Sequence, residues 1–285
     1  MQIGSSMPIG IYEKALPDGL SWEERLGQAA EAGFNFVEMS IDESDSRLSR
    51  LTWSGSDVAA LRAAISNSGV SLFSVGLSAH RRYPLGSADP VLRNKSFIIF
   101  RRAIDLALEL SAKVIQLMGY DVYYEPSTPD SRERFLEGLY QGAHWAGTAG
   151  LMLALENVDV PFVDSIDKAM GIVKAIDSPW VHLYPDMGNL AAAGYDPVSQ
   201  LKLAKGHIVG IHVKDALPGV VRGVPFESGI VPFSDVFKTL AEMGFRSPMT
   251  VEMWADREAG GDPFKAIVGA RQLVGHWIRD AWGDE

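Results

Sequence analysis

Ala149-Gly150-Leu151-Met152-Leu153-Ala154-Leu155-Glu156 is the stretch that decides the architecture. A glycine ends a helix, an apolar run follows at once, and a carboxylate closes it. Glycine relieves the left-handed strain at a helix C-terminus. An apolar run without polar alternation suits a strand covered on both faces. The same junction recurs along the chain. Ala32-Gly33 precedes Phe34-Asn35-Phe36-Val37-Glu38, and Ser68-Gly69 precedes Val70-Ser71-Leu72-Phe73. Met243-Gly244 comes shortly before Met249-Thr250-Val251-Glu252.

Helix starts are marked as well. Asp89-Pro90, Asp196-Pro197 and Asp262-Pro263 each set a capping carboxylate before a proline at the first helical position. Ser21 and Glu24 have the spacing of a capping box. Phe97, Phe100, Ile104 and Leu108 follow helical spacing, as do Phe264, Ile267, Val268, Val274 and Ile278. These signals predict strands over 9–13, 34–40, 71–77, 114–117, 151–156, 181–184, 208–212 and 249–252. Helices are predicted over about 21–32, 55–67, 89–110, 130–148, 165–176, 197–204, 233–243 and 262–280. An open doubly wound sheet competes, but eight strands alternating with eight helices favour an α/β fold of the closed (β/α)8 kind. With 285 residues, close to the roughly 250 typical of such a barrel, a single domain over 1–285 is expected.

Composition narrows the function. The chain has no cysteine, which excludes disulfides, thiolate metal sites and a cysteine nucleophile. With 26 basic and 36 acidic residues the net charge is −10, which opposes binding to a nucleic-acid backbone. No run approaches the roughly 18 apolar residues that span a membrane, and the first residues carry no signal-peptide pattern. A cytoplasmic protein without nucleic-acid or membrane partners is expected.

Four strand ends carry possible metal ligands: Glu156, Asp186 in Val181-His182-Leu183-Tyr184-Pro185-Asp186, His212 in Ile208-Val209-Gly210-Ile211-His212, and Glu252. Each has a plainer reading. The glutamates could be solvated strand ends, Asp186 a turn former, His212 a satisfied core residue. In a barrel, however, successive strand ends converge on one mouth. Two Glu, one Asp and one His there suit one divalent ion, Mn, Zn, Co or Mg. His80 and Arg81 follow the third strand at the same mouth. The loop from Lys214 to Gly223, with Lys214 and Arg222, lies where such barrels often bind phosphate. The other histidines, His144, His182, His207 and His276, lie on helices or on the far side.

An ion chelated by a sugar carbonyl and its neighbouring hydroxyl would stabilise the enediolate formed when the adjacent C–H is deprotonated. One Glu would take the proton and a Glu on the opposite face would return one, inverting the centre. A single base acting at the same ion would instead interconvert aldose and ketose.

With these residues in place, the chain resembles the sugar-phosphate epimerase branch of the xylose-isomerase-like barrels, the L-ribulose-5-phosphate (or L-xylulose-5-phosphate) 3-epimerases. The marks span most of the chain: Pro8-Ile9-Gly10-Ile11-Tyr12-Glu13-Lys14, Phe36-Val37-Glu38-Met39-Ser40, Arg47-Leu48-Ser49-Arg50-Leu51, Leu77-Ser78-Ala79-His80-Arg81-Arg82, Gly188-Asn189-Leu190, His212-Val213-Lys214-Asp215 and Glu252-Met253-Trp254. The resemblance implies that Glu156, Asp186, His212 and Glu252 hold the metal, that Glu156 and Glu252 are the acid–base pair, and that the protein is a homodimer acting on a small sugar phosphate. Relatives that act on free ketoses carry a His where this chain has Asn189, a Glu at Phe162 and an Arg at Pro218. These departures weigh against an unphosphorylated substrate and place Asn189 in the substrate site. One departure runs the other way. Close relatives read Gly-Glu-Gly where this chain has Glu227-Ser228-Gly229. The expected activity is 3-epimerisation of a pentulose 5-phosphate. An aldose–ketose isomerase or a 3-epimerase of a free ketose is the alternative. A zinc nuclease would need more clustered histidines and a basic groove. A mere sugar sensor would gain nothing from two opposed carboxylates.

Overall fold

The computed structural model describes residues 7–255 and 261–283. Eight strands, all parallel where paired, run through it: β1 (Ile9–Tyr12), β2 (Phe36–Ile41), β3 (Ser71–Leu77), β4 (Val114–Met118), β5 (Met152–Glu156), β6 (Val181–Leu183), β7 (Ile211–Val213) and β8 (Met249–Val251). Hydrogen-bonded neighbours follow the order β6-β5-β4-β3-β2-β1-β8-β7. The circle closes between β6 and β7 through parallel bridges from Leu183 to Ile208 and from Asp186 to His212. The eight-fold α/β barrel expected from the sequence is therefore formed.

The surrounding helices are α1 (Trp22–Glu31), α2 (Asp45–Leu48), α3 (Gly55–Ser68), α4 (Pro90–Glu109), α5 (Pro129–Ala149), α6 (Ile166–Ile176), α7 (Met187–Ala192), α8 (Pro197–Lys202), α9 (Phe233–Glu242) and α10 (Pro263–Trp282). The marked starts are real caps. Asp89, Asp196 and Asp262 accept from backbone N–H groups ahead of α4, α8 and α10, each followed by proline. Ser21 and Glu24 form the expected capping box of α1. Each such cap stabilises its helix by about 1 kcal/mol. Gly150 ends α5 at φ 70°, in the left-handed region.

Two short helices, α2 and α7, have no counterpart in the sequence reading. Strand β7 is also displaced from the predicted 208–212. Ile208 makes only an isolated bridge, and at Gly210 the backbone passes the Tyr184 ring so closely that a Cβ there would lie 2.3 Å from it. Gly10 does the same for Phe36, where a Cβ would lie 2.1 Å from the ring. These two glycines let large rings fill the barrel interior. The Tyr184 hydroxyl ties to Thr250 Oγ1 at 2.6 Å, and its ring meets the His212 ring edge-on at 5.1 Å.

Alternate strand residues such as Ile11, Val37, Val75, Ile115, Leu153, Ile211 and Val251 pack outward in one core with the helices. The inward set turns polar toward the C-terminal mouth: Glu38, Ser74, Gln116, Glu156 and His212 are all buried and linked by hydrogen bonds. Buried charge of this kind persists only where partners exist. Among the described residues no helix is long and apolar enough to cross a membrane.

Candidate metal centre and the cavity above it

Glu156 is the last residue of β5, Asp186 caps α7 just beyond β6, His212 sits within β7, and Glu252 directly follows β8. One ligand atom from each of the four lies within 4.8 Å of the other three. His212 Nδ1 is 3.2 Å from Glu156 Oε1, 3.6 Å from Glu252 Oε2 and 3.8 Å from Asp186 Oδ2. The fold thus brings together the four residues picked from strand ends.

The donor set fits a divalent ion by two observations. Three carboxylates converge on one imidazole nitrogen, a mix typical of Mn, Zn, Co or Mg sites. Asp186 Oδ2 is fully buried yet has no aligned hydrogen-bond donor. Its nearest charge is Lys214 Nζ at 2.6 Å. Asp186 is held in place by its other atoms. Oδ1 accepts from Asn189 N at 2.8 Å, while Asn157 Oδ1 accepts from Asp186 N and Asn157 Nδ2 donates to its carbonyl.

A residue not assigned from sequence completes the imidazole. Glu38 Oε1 lies 2.8 Å from His212 Nε2, and Ser74 Oγ donates to Glu38 Oε2 at 2.5 Å. A carboxylate on Nε2 leaves Nδ1 as the ligand atom, an arrangement common behind metal-binding histidines. Glu38 closes no strand, but it interrupts apolar Phe36-Val37-Glu38-Met39 as Glu156 ends its own run. The cost of burying a carboxylate would have marked it.

Electrostatics separate the acids. Burial pushes Glu252 up to about 7, although Lys214 and His212 pull the other way. Burial also raises Glu156. For Asp186 burial is outweighed by the Lys214 ammonium and His212, which hold it below the usual carboxylate range. Burial opposes the charged form of His212, yet the Glu38 and Glu252 carboxylates raise it well above the ordinary imidazole value.

Above the cluster opens a cavity of about 890 Å³. Its wall includes Glu156, Glu252, Asn189, Lys214, Arg222, Arg81, Tyr12 and Trp254. The Arg81 guanidinium lies over the Tyr123 ring at 4.6 Å, and that of Arg222 over Trp254 at 5.5 Å. Asn189 reaches the wall with its Nδ2 donating to the Asn157 carbonyl. His80 needs correction. The short turn Ser78–Arg81 points its ring away from the cavity, under α4. There Nε2 faces the Ser96 carbonyl at 3.3 Å and the ring meets Phe100. Burial drives its imidazole down to about 4, so the ring is neutral and out of a sugar's reach. Lys214 does line the cavity, but it is buried, with Nζ 2.8 Å from Glu252 Oε2.

The cavity has a second cationic wall that sequence reasoning left unassigned. Lys14, Arg25, Arg47 and Arg50 line it from the β1–β2 sector, beside Ser44 and Ser46. Buried Glu13 anchors this wall, bonded to Arg47 and Arg50.

Residues 26–279 match the family described as xylose isomerase-like TIM barrel. The chain belongs to that family. It is 47% identical over 272 residues to the L-ribulose-5-phosphate 3-epimerase UlaE of Shigella sonnei (strain Ss046), covering 95% of each chain. Identity to the enzyme of that name from Escherichia coli (strain K12 / DH10B) is 46% over the same share. Among solved structures, a D-psicose 3-epimerase superposes with a TM-score of 0.81 at 17% identity, covering 97% of this chain and all of that one. That last likeness concerns the fold. The chain is an enzyme of the isomerase class.

Proposed function

We infer that this enzyme is a divalent-metal-dependent 3-epimerase of a pentulose 5-phosphate; its relatives at 46–47% identity are named L-ribulose-5-phosphate 3-epimerase. The observation that carries the reading is the approach of Glu156 Oε1 and Glu252 Oε2, from separate strands, to one imidazole nitrogen at 3.2 and 3.6 Å. A divalent ion held by Glu156, Asp186, His212 and Glu252 would polarise the ketose carbonyl and its neighbouring hydroxyl, acidifying the C3 hydrogen.

The chain's own groups do the rest. One glutamate removes the C3 proton and the other delivers a proton to the opposite face. Tyr12 and Trp254, ring centroids 6.1 Å apart, offer apolar surface to the carbon chain. The 5-phosphate would face the β1–β2 wall. Four cations there, Lys14, Arg25, Arg47 and Arg50, stand against three acids, Glu13, Asp18 and Asp42, leaving one positive charge in surplus. In the loop after β7, Lys214 is engaged by carboxylates, and Arg222 on the cavity wall stays as that loop's phosphate contact beside the β1–β2 cations.

The test is NMR in D2O with Mn-loaded enzyme and L-ribulose 5-phosphate. Deuterium entering C3 with appearance of L-xylulose 5-phosphate is the expected result. Exchange at C1 alone would point to an aldose–ketose isomerase, and equal turnover of free L-ribulose would remove the phosphate from the account.

A further inference from the structure

Lys214 touches the two carboxylate oxygens that also face His212 Nδ1. Its Nζ is 2.6 Å from Asp186 Oδ2 and 2.8 Å from Glu252 Oε2, with the side chain only 6% exposed. Those oxygens lie 3.8 and 3.6 Å from Nδ1. The fold makes room for this lysine. At Gly188, two residues after Asp186, an added Cβ would fall 2.5 Å from Lys214 Cγ and 3.1 Å from Cε. The Trp254 ring covers the ammonium at 5.4 Å. The side chain is therefore held in a slot, not laid loosely over the acids.

Such a contact has two opposite effects. A buried ammonium neutralises neighbouring carboxylates and keeps them close, which stabilises a site that would otherwise repel itself. It also repels any second cation drawn to the same oxygens, strongly at this depth. We propose that Lys214 sets the affinity of the metal centre, sharing Asp186 Oδ2 and Glu252 Oε2 with the ion. It loosens ion binding while keeping the acids assembled without one. This rests on the reading of Glu156, Asp186, His212 and Glu252 as the ligands.

The experiment titrates Mn2+ into chelator-treated wild type and Lys214→Met by calorimetry and records the thermal midpoint of each with and without the ion. Methionine keeps the length and apolar stem but removes the charge. The expected result is binding at least about ten-fold tighter in the variant, with a midpoint lowered by roughly 5 °C without the ion and a smaller gap when saturated. Unchanged or weaker binding by a folded variant overturns the proposal while leaving the ligand reading intact. So does a rise in KM for the sugar phosphate with Mn2+ affinity unmoved, the mark of a substrate contact. Absence of stoichiometric binding by wild type overturns the ligand reading and this proposal together. Should Lys214→Met not fold without the ion, Lys214→Gln, which keeps a donor, gives the same readings.

Discussion

Glu38 Oε1 stands 2.8 Å from His212 Nε2, on the far side of the imidazole from the ligand cluster. That contact fixes which nitrogen faces the cavity, and Ser74 fixes the carboxylate in turn. Removing it with Glu38→Ala is expected to weaken metal binding by about 10–100-fold. Calorimetric titration checks this. An unchanged affinity would mean that the ring is oriented by packing against Tyr184 and Tyr12 alone.

Glu156 and Glu252 have separate tasks. Glu156→Gln and Glu252→Gln should each lower kcat by about 100–10,000-fold. The two variants should differ in one respect: each is expected to exchange the C3 hydrogen of one epimer with solvent while failing to invert it. NMR of both epimers in D2O reads this out, and loss of exchange with both epimers in both variants would argue against two opposed bases.

The pH dependence follows from Glu252. Its folded value of about 7 lies above its ordinary 4.5, so between those limits the folded protein binds a proton that the unfolded chain does not. Without an ion, this carboxyl therefore contributes stability that is complete below about 4.5 and lost as pH rises through 7. An ion needs the carboxylate, so binding should release protons near pH 6.5 and weaken as pH falls. Calorimetry in buffers of differing ionisation enthalpy measures the release.

Glu227 adopts φ 64°, a left-handed conformation that side chains other than glycine disfavour. Glu227→Gly is expected to be neutral or stabilising by up to about 1 kcal/mol. Gly229 is the opposite case. Its N–H donates to Asp215 Oδ2 at 2.8 Å, and a Cβ would fall 2.2 Å from both Asp215 Oδ1 and the Ala216 carbonyl. Gly229→Ala should therefore loosen the segment carrying Arg222 and lower the thermal midpoint. Thermal melts of the two variants check the contrast.

The barrel was legible because its helix caps, glycine stops and apolar runs are local signals. The four converging side chains were legible because a carboxylate or imidazole at the end of a buried run needs a partner that only the barrel mouth supplies. Side-chain direction was not. His80 follows β3 as expected, yet one short turn rotates its ring under α4 against Phe100. Sequence position makes Lys214 a loop cation, but two acids draw it inward and Gly188 leaves room for its stem. Arg47 and Arg50 meet Glu13 across more than 30 residues of sequence, a pairing that no local pattern carries.

Everything catalytic depends on whether Glu156, Asp186, His212 and Glu252 share one cation. Anomalous diffraction from crystals grown with Mn2+ measures that directly. The account predicts a single strong peak bonded to one oxygen of each acid and to His212 Nδ1, at about 2.0–2.2 Å. A peak bound elsewhere, or none in crystals whose four side chains keep this arrangement, would contradict it.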